Sequence, residues 1–103
     1  MLKPDTLDYF VLKPKQSAFY GTTLDTLLRD LGTKKVILTG VAGDNCVLFS
    51  ANDAYMRDLK LYIPSDCIAS ETEAENQSAL QLMKKVVKAD IRPSTELDLE
   101  AMV

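Results

Sequence analysis

Two kinds of segment take turns along the chain: short apolar runs, and stretches whose apolar residues recur every three or four positions. Residues 8–13, DYFVLK, read as a short strand that Pro14 closes, because proline fixes its own φ and biases Lys13 away from helix. A lysine therefore stands at a strand end. In TTLDTLLRDLG, Leu24, Leu27, Leu28 and Leu31 share one helical face. Thr22 or Thr23 is placed to cap this helix and Gly32 to stop it. KKVILTG is a continuous apolar run behind two lysines, which predicts a strand covered on both faces and ended by Gly40.

After the turn VAGD, a helix is predicted from Asn45 to near Asp58. Val47, Leu48, Ala51, Ala54 and Tyr55 lie along one side of it, and Asp44 or Asn45 can cap it. LKLYIP is a second strand and SDCIAS its exit. Ser70 and Glu73 then match the capping-box spacing that opens a third helix, running to near Lys88. Its acidic residues Glu71, Glu73 and Glu75 come early and Lys84, Lys85 and Lys88 late, as the helix dipole favours. Ala79, Leu80, Met83, Val86 and Val87 supply its buried stripe. ADIRPS can add a last short strand, and TELDLEAMV a terminal turn or a loose surface segment.

Strands that alternate with helices at this spacing imply an α/β fold, with right-handed crossovers and a mainly parallel sheet between helical layers. Ligand sites in such sheets lie beyond the carboxyl ends of the strands. Lys13, the turn around Cys46 and the turn around Asp66 all fall at that end, so they are expected to meet at one pocket.

Composition narrows the chemistry. A chain of 103 residues, 47% hydrophobic, holds one small core, and no apolar run approaches the length of a membrane span. The start, MLKPDTLDYF, lacks the pattern of a leader, so a cytoplasmic setting without membrane partners is expected. A net charge of −3 argues against a nucleic-acid partner. The two cysteines, Cys46 and Cys67, are too few and too far apart for a metal knuckle or a disulfide scaffold. Histidine is absent altogether, which excludes histidine-dependent triads and the common zinc-hydrolase signatures.

Cys46 sits in the first turn of a predicted helix, where the dipole and unpaired N–H groups favour a thiolate. A small buried thiol filling the strand–helix junction is the competing reading, and residue type alone leaves both open. Lys13 is similarly either a solvated strand end or a functional cation. Two known cysteine motifs fail, since a C-x5-R loop would need arginine where Asn52 stands and a dithiol motif a second cysteine where Phe49 stands. GVAG lacks both the dinucleotide fingerprint and the lysine of a phosphate loop.

Taken in order, VLKPKQSAFYGTTLDTLL, VILTGVAGDNCVLFSANDAY and LYIPSDCIAS resemble the isochorismatase-like cysteine hydrolases, which include nicotinamidases and N-carbamoylsarcosine amidases. The resemblance runs from about Leu2 to Pro93. It implies a three-layer αβα, Rossmann-like fold, with residues 1–103 forming the C-terminal portion of one such domain. By position it makes Cys46 the nucleophile and Lys13, four residues before the serine of S-A-F, the catalytic lysine. It further implies that the Val41–Ala42 peptide is cis and that the Ala42 and Cys46 backbone N–H groups form an oxyanion hole. Ser17, Ala18 and Phe19 would shape the loop behind the lysine, Asp53 would act as a surface or supporting group, and Cys67 would be structural.

The implied activity is hydrolysis of a C–N bond in a small molecule through a Cys46 thioester, since true isochorismatases can lack this cysteine. No cofactor or metal is expected. The family's third catalytic group, an aspartate in a D-M-Q-like motif on its first strand, has no match here, because Asp5, Asp8 and Asp44 lie in other contexts. A chain without that strand leaves a hydrophobic sheet uncovered. A homo-oligomer or a companion chain covering it is therefore expected. The alternative function is an inactive remnant or an oligomerising interaction module of the same fold.

Overall fold

The computed structural model describes residues 3–101. Its elements are α1 (Leu24–Asp30), β1 (Lys35–Ile37), β2 (Gly40–Val41), α2 (Leu48–Met56), β3 (Lys60–Tyr62), β4 (Ile68–Ala69) and α3 (Glu73–Val86). A π-helical turn, Gly43–Val47, leads into α2, and a short 3-10 turn, Ser94–Glu96, lies near the end.

All strand pairing is parallel. β1 pairs with β3 in the register Lys35↔Lys60, Val36↔Leu61 and Ile37↔Tyr62. β2 pairs with β4 through Gly40↔Ile68 and Val41↔Ala69. The Leu38 N–H donates to the Tyr62 carbonyl at 2.9 Å and the Gly40 N–H to the Cys67 carbonyl at 3.0 Å, so the two ladders follow one path. On its far side β3 meets Asp90: the Ile63 N–H donates to the Asp90 carbonyl and the Asp90 N–H to the Leu61 carbonyl.

β3 therefore has neighbours on both edges, and Leu61 and Ile63 are fully buried. β1 has one neighbour among the described residues, and Ile37 is 42% exposed. The apolar run KKVILTG does not become a strand covered on both faces: Lys35 and Ile37 are exposed, Val36 is half-buried, and among the described residues β1 pairs along one edge alone. The strand expected over residues 8–13 is absent for a related reason. That segment finds no strand to bond to among the described residues, and its Leu12 is 92% exposed. The strand expected in ADIRPS shrinks to the single bridge at Asp90.

The core forms where α2 packs on β3 and α3 packs on α2, β4 and the π-helical turn. Ala51 and Ala54 of α2 are fully buried and small enough to bring the helix close, while Leu80 and Met83 of α3 fill the space behind them. Tyr55 and Val86, expected on buried stripes, are exposed. Asn76 takes an inward place instead, with its Nδ2 donating to the Ile68 carbonyl at 3.4 Å. The α3 cap also differs from expectation. Thr72 Oγ1 accepts from the Glu75 N–H at 3.1 Å, whereas Ser70 Oγ donates to Asn76 Oδ1 at 2.9 Å.

In α1, the N-cap Thr23 makes no side-chain bond, and Thr22 Oγ1 accepts from the Leu24 N–H at 3.3 Å. The helix stops at Asp30, which leaves Leu31 outside its buried face, and Gly32 turns away with φ +68°. Asp44 and Asn45 lie inside the π turn rather than capping it, and Ala42 holds the cap position.

Candidate active site

The strand–turn–helix segment from Gly40 into α2 builds one half of the site. β2 ends at Val41, and the Val41–Ala42 peptide is cis, as the resemblance implies. The Ala42 carbonyl accepts from both the Asn45 and Val47 N–H groups at 3.1 Å, and the longer of these two loops makes the turn π-helical. Cys46 stands within that turn, half-buried.

Gly43 explains how the turn fits. It is buried, and a Cβ built on it would lie 2.7 Å from Asn76 Oδ1 and 2.9 Å from Ile68 Cδ1. Only glycine lets α3 and β4 come this close to the turn.

The other half is the loop from Lys13 to Thr22. Lys13 Nζ lies 3.6 Å from Cys46 Sγ and donates to the Lys15 carbonyl at 3.1 Å. The loop is fastened to α2. Ser17 is buried and its hydroxyl donates to the Asp53 carboxylate. The Ala18 N–H donates to Ser50 Oγ at 2.9 Å, and Thr22 Oγ1 donates back to the Ala18 carbonyl. Phe19 is buried with the Arg57 guanidinium 4.7 Å from its ring centre. Arg57 in turn donates to the Asp53 carbonyl at 2.9 Å and pairs with Asp25 at 3.4 Å.

Ser17, Ala18 and Phe19 thus shape the loop behind the lysine, and Asp53 supports it. Sequence reasoning missed Ser50 and Arg57. Their signal was helical spacing: Ser50 follows Cys46 by four positions and Arg57 follows Asp53 by four.

Lys13 and Cys46 line an open cleft of about 350 Å³ whose walls are mostly apolar, with Leu24, Leu28, Val36 and Leu38 among them. Asp66 does not reach it, contrary to expectation. Its carboxylate accepts from the Ser94 N–H at 2.8 Å and the Ser94 hydroxyl at 2.7 Å, and the Ser94 hydroxyl bond holds its carboxyl below the usual carboxylate range. Cys67 leans on the same carboxylate at 3.6 Å. Among the described residues no group of three or more carboxylate or thiol side chains gathers as a metal site, and the chain has no histidine. No helix among the described residues is long and apolar enough to cross a membrane.

The framework is parallel α/β and Rossmann-like, with a thiol in the turn after a strand and a lysine beside it. Comparison with known proteins narrows this. The pattern of the isochorismatase domain matches residues 1–92, and the chain belongs to the isochorismatase family. It is 49% identical over 96 residues to the uncharacterized isochorismatase family protein YaaI of Bacillus subtilis, covering 93% of this chain and 53% of that one.

Among solved structures, N-carbamoylsarcosine amidase from Thermoplasma acidophilum superimposes with a TM-score of 0.84 at 31% identity, covering 93% of this chain and 54% of that one. The nicotinamidase of Staphylococcus aureus does so with a TM-score of 0.78 at 34% identity, covering 80% and 53%. The chain thus spans about half the length of these relatives, 53% of YaaI.

Proposed function

We propose that this chain carries the nucleophilic half of a cysteine hydrolase that cleaves a C–N bond of amide type in a small molecule. The observation that carries the reading is the 3.6 Å approach of Lys13 Nζ to Cys46 Sγ at an otherwise apolar cleft. A cation at that distance can compensate negative charge on the sulfur as the reaction proceeds, in a chain that has no histidine. The amidase names of two structural relatives support the choice of bond.

In this reading the Cys46 sulfur attacks the carbonyl carbon, and the Ala42 and Cys46 N–H groups receive the charge that develops on oxygen. The C–N bond then breaks, the nitrogen leaves with a proton, and a thioester to Cys46 remains. Water adds to the thioester carbon, the carboxylic acid departs, and the sulfur is regenerated. Lys13 compensates the sulfur's charge before attack and after release.

The proton carried to the leaving nitrogen needs a carboxylate that the resemblance assigns to a strand with no match in this chain. We assign that group, and the cover for the free edge of β1, to polypeptide outside these 103 residues. The apolar cleft walls and the exposed Ile37 support a covered edge. No activity is expected from this chain alone.

The test is alkylation by iodoacetamide across a pH series, with Cys46 and Cys67 read separately by mass spectrometry. Cys46 is expected to react faster than Cys67 at neutral pH, and Lys13→Ala to remove the difference. Equal reactivity of the two thiols at neutral pH would overturn the assignment.

A further inference from the structure

Away from the cleft, α2 and α3 present an apolar strip that the core does not use. Phe49 of α2 and Leu82 and Val86 of α3 are 51%, 45% and 51% exposed. Between them runs a shallow groove floored by Leu48, which lines both of its parts. The inward stripe of α3 is Asn76, Ala79, Leu80 and Met83, so Leu82 and Val86 are not there to fill the interior.

The strip has opposite charges at its two ends. On a helix of 3.6 residues per turn, Glu75, Ser78, Leu82 and Val86 follow one line, and Lys85 borders its far end. Among the described residues neither Glu75 nor Lys85 takes part in a salt bridge. A surface that is negative at one end, positive at the other and apolar between them complements itself under a two-fold axis. With two α3 helices antiparallel and the axis near residue 80, each Glu75 faces the Lys85 of the other copy. Each Leu82 then faces Ser78, a side chain small enough to let the helices approach.

We infer that this α2–α3 face is a two-fold interface between copies of this chain. It is separate from the cleft and from the free edge of β1, and it does not depend on the catalytic reading.

The experiment is sedimentation equilibrium of the full chain over a concentration series at low salt, with Glu75→Lys, Lys85→Glu and the double variant. These positions are exposed, and circular dichroism verifies that each variant folds. A reversible dimer is expected, and each single reversal sets two like-charged pairs against each other and weakens it about tenfold. The double reversal restores both pairs and returns the affinity towards the parent value. A chain that stays monomeric, an assembly indifferent to both reversals, or a double variant no tighter than the singles would each overturn the inference.

Discussion

Gly43 does for the turn what no other residue can. Replacing it with alanine drives a methyl group into the Asn76 amide and the Ile68 side chain, both of which are themselves buried. Overpacking of this kind costs about 1–3 kcal/mol. Gly43→Ala is therefore expected to lower the unfolding free energy by that much, read as a lower urea midpoint at unchanged slope, and a midpoint unchanged from the parent would show that α3 yields more easily than the packing implies. The same crowding explains why Ser70 does not cap α3 although its spacing to Glu73 suits a capping box. Its hydroxyl is taken by Asn76, and Thr72, two positions on, provides the cap. Sequence spacing cannot register a competing partner that arrives from six residues further along the helix.

At the scale of elements, the long amphipathic helices were legible and the strands were legible in type. α3 and α2 fall where their apolar spacing predicts, because that spacing is a direct print of a buried face. The parallel pairing of β1 and β3 likewise follows from the alternation of strands and helices. Two elements were misread for one reason. DYFVLK and ADIRPS carry strand-like residues, but a strand exists only if a neighbour answers its N–H and C=O groups, and that is not written in the segment itself.

The segment after Asp90 is held by side chains instead, chiefly by Asp66 accepting from Ser94. A carboxyl whose folded pKa is depressed contributes stability above its ordinary value, and that contribution is lost as pH falls through the folded value. The Ser94–Glu96 turn is therefore expected to loosen under acid, on the low side of the ordinary carboxylate value of 3.8. Titration of the Ser94 amide resonance should follow Asp66, and Asp66→Asn should flatten that titration. A resonance that ignores acid in the parent protein would contradict this anchor.

For the molecule as a whole, the fold class was readable and the state of the sheet only partly so. The motif order located Lys13 and Cys46 on segments 33 positions apart, and the fold sets them side by side. What covers β1 could not be read, because an apolar run looks the same whether its second edge is occupied or bare. Backbone geometry makes this measurable. Leu38 donates its N–H into the ladder with β3, so the N–H groups of Lys35 and Ile37 point the other way, towards the free edge. In hydrogen exchange, Leu38 and Ile63 are expected to be protected and Ile37 to exchange freely. Strong protection of Ile37 in the purified chain would mean that the edge is already paired.

The fastening of the lysine loop has a mechanical consequence. Ser17, Ala18 and Phe19 are tied to Ser50, Asp53 and Arg57, all on the segment that begins with Cys46, and among the described residues no hydrogen bond fastens them to β1. Thiol and ammonium thus stand on two segments fastened to each other through α2. Breathing of the open sheet edge can widen or narrow the cleft for a guest molecule while the spacing of sulfur and nitrogen stays as it is.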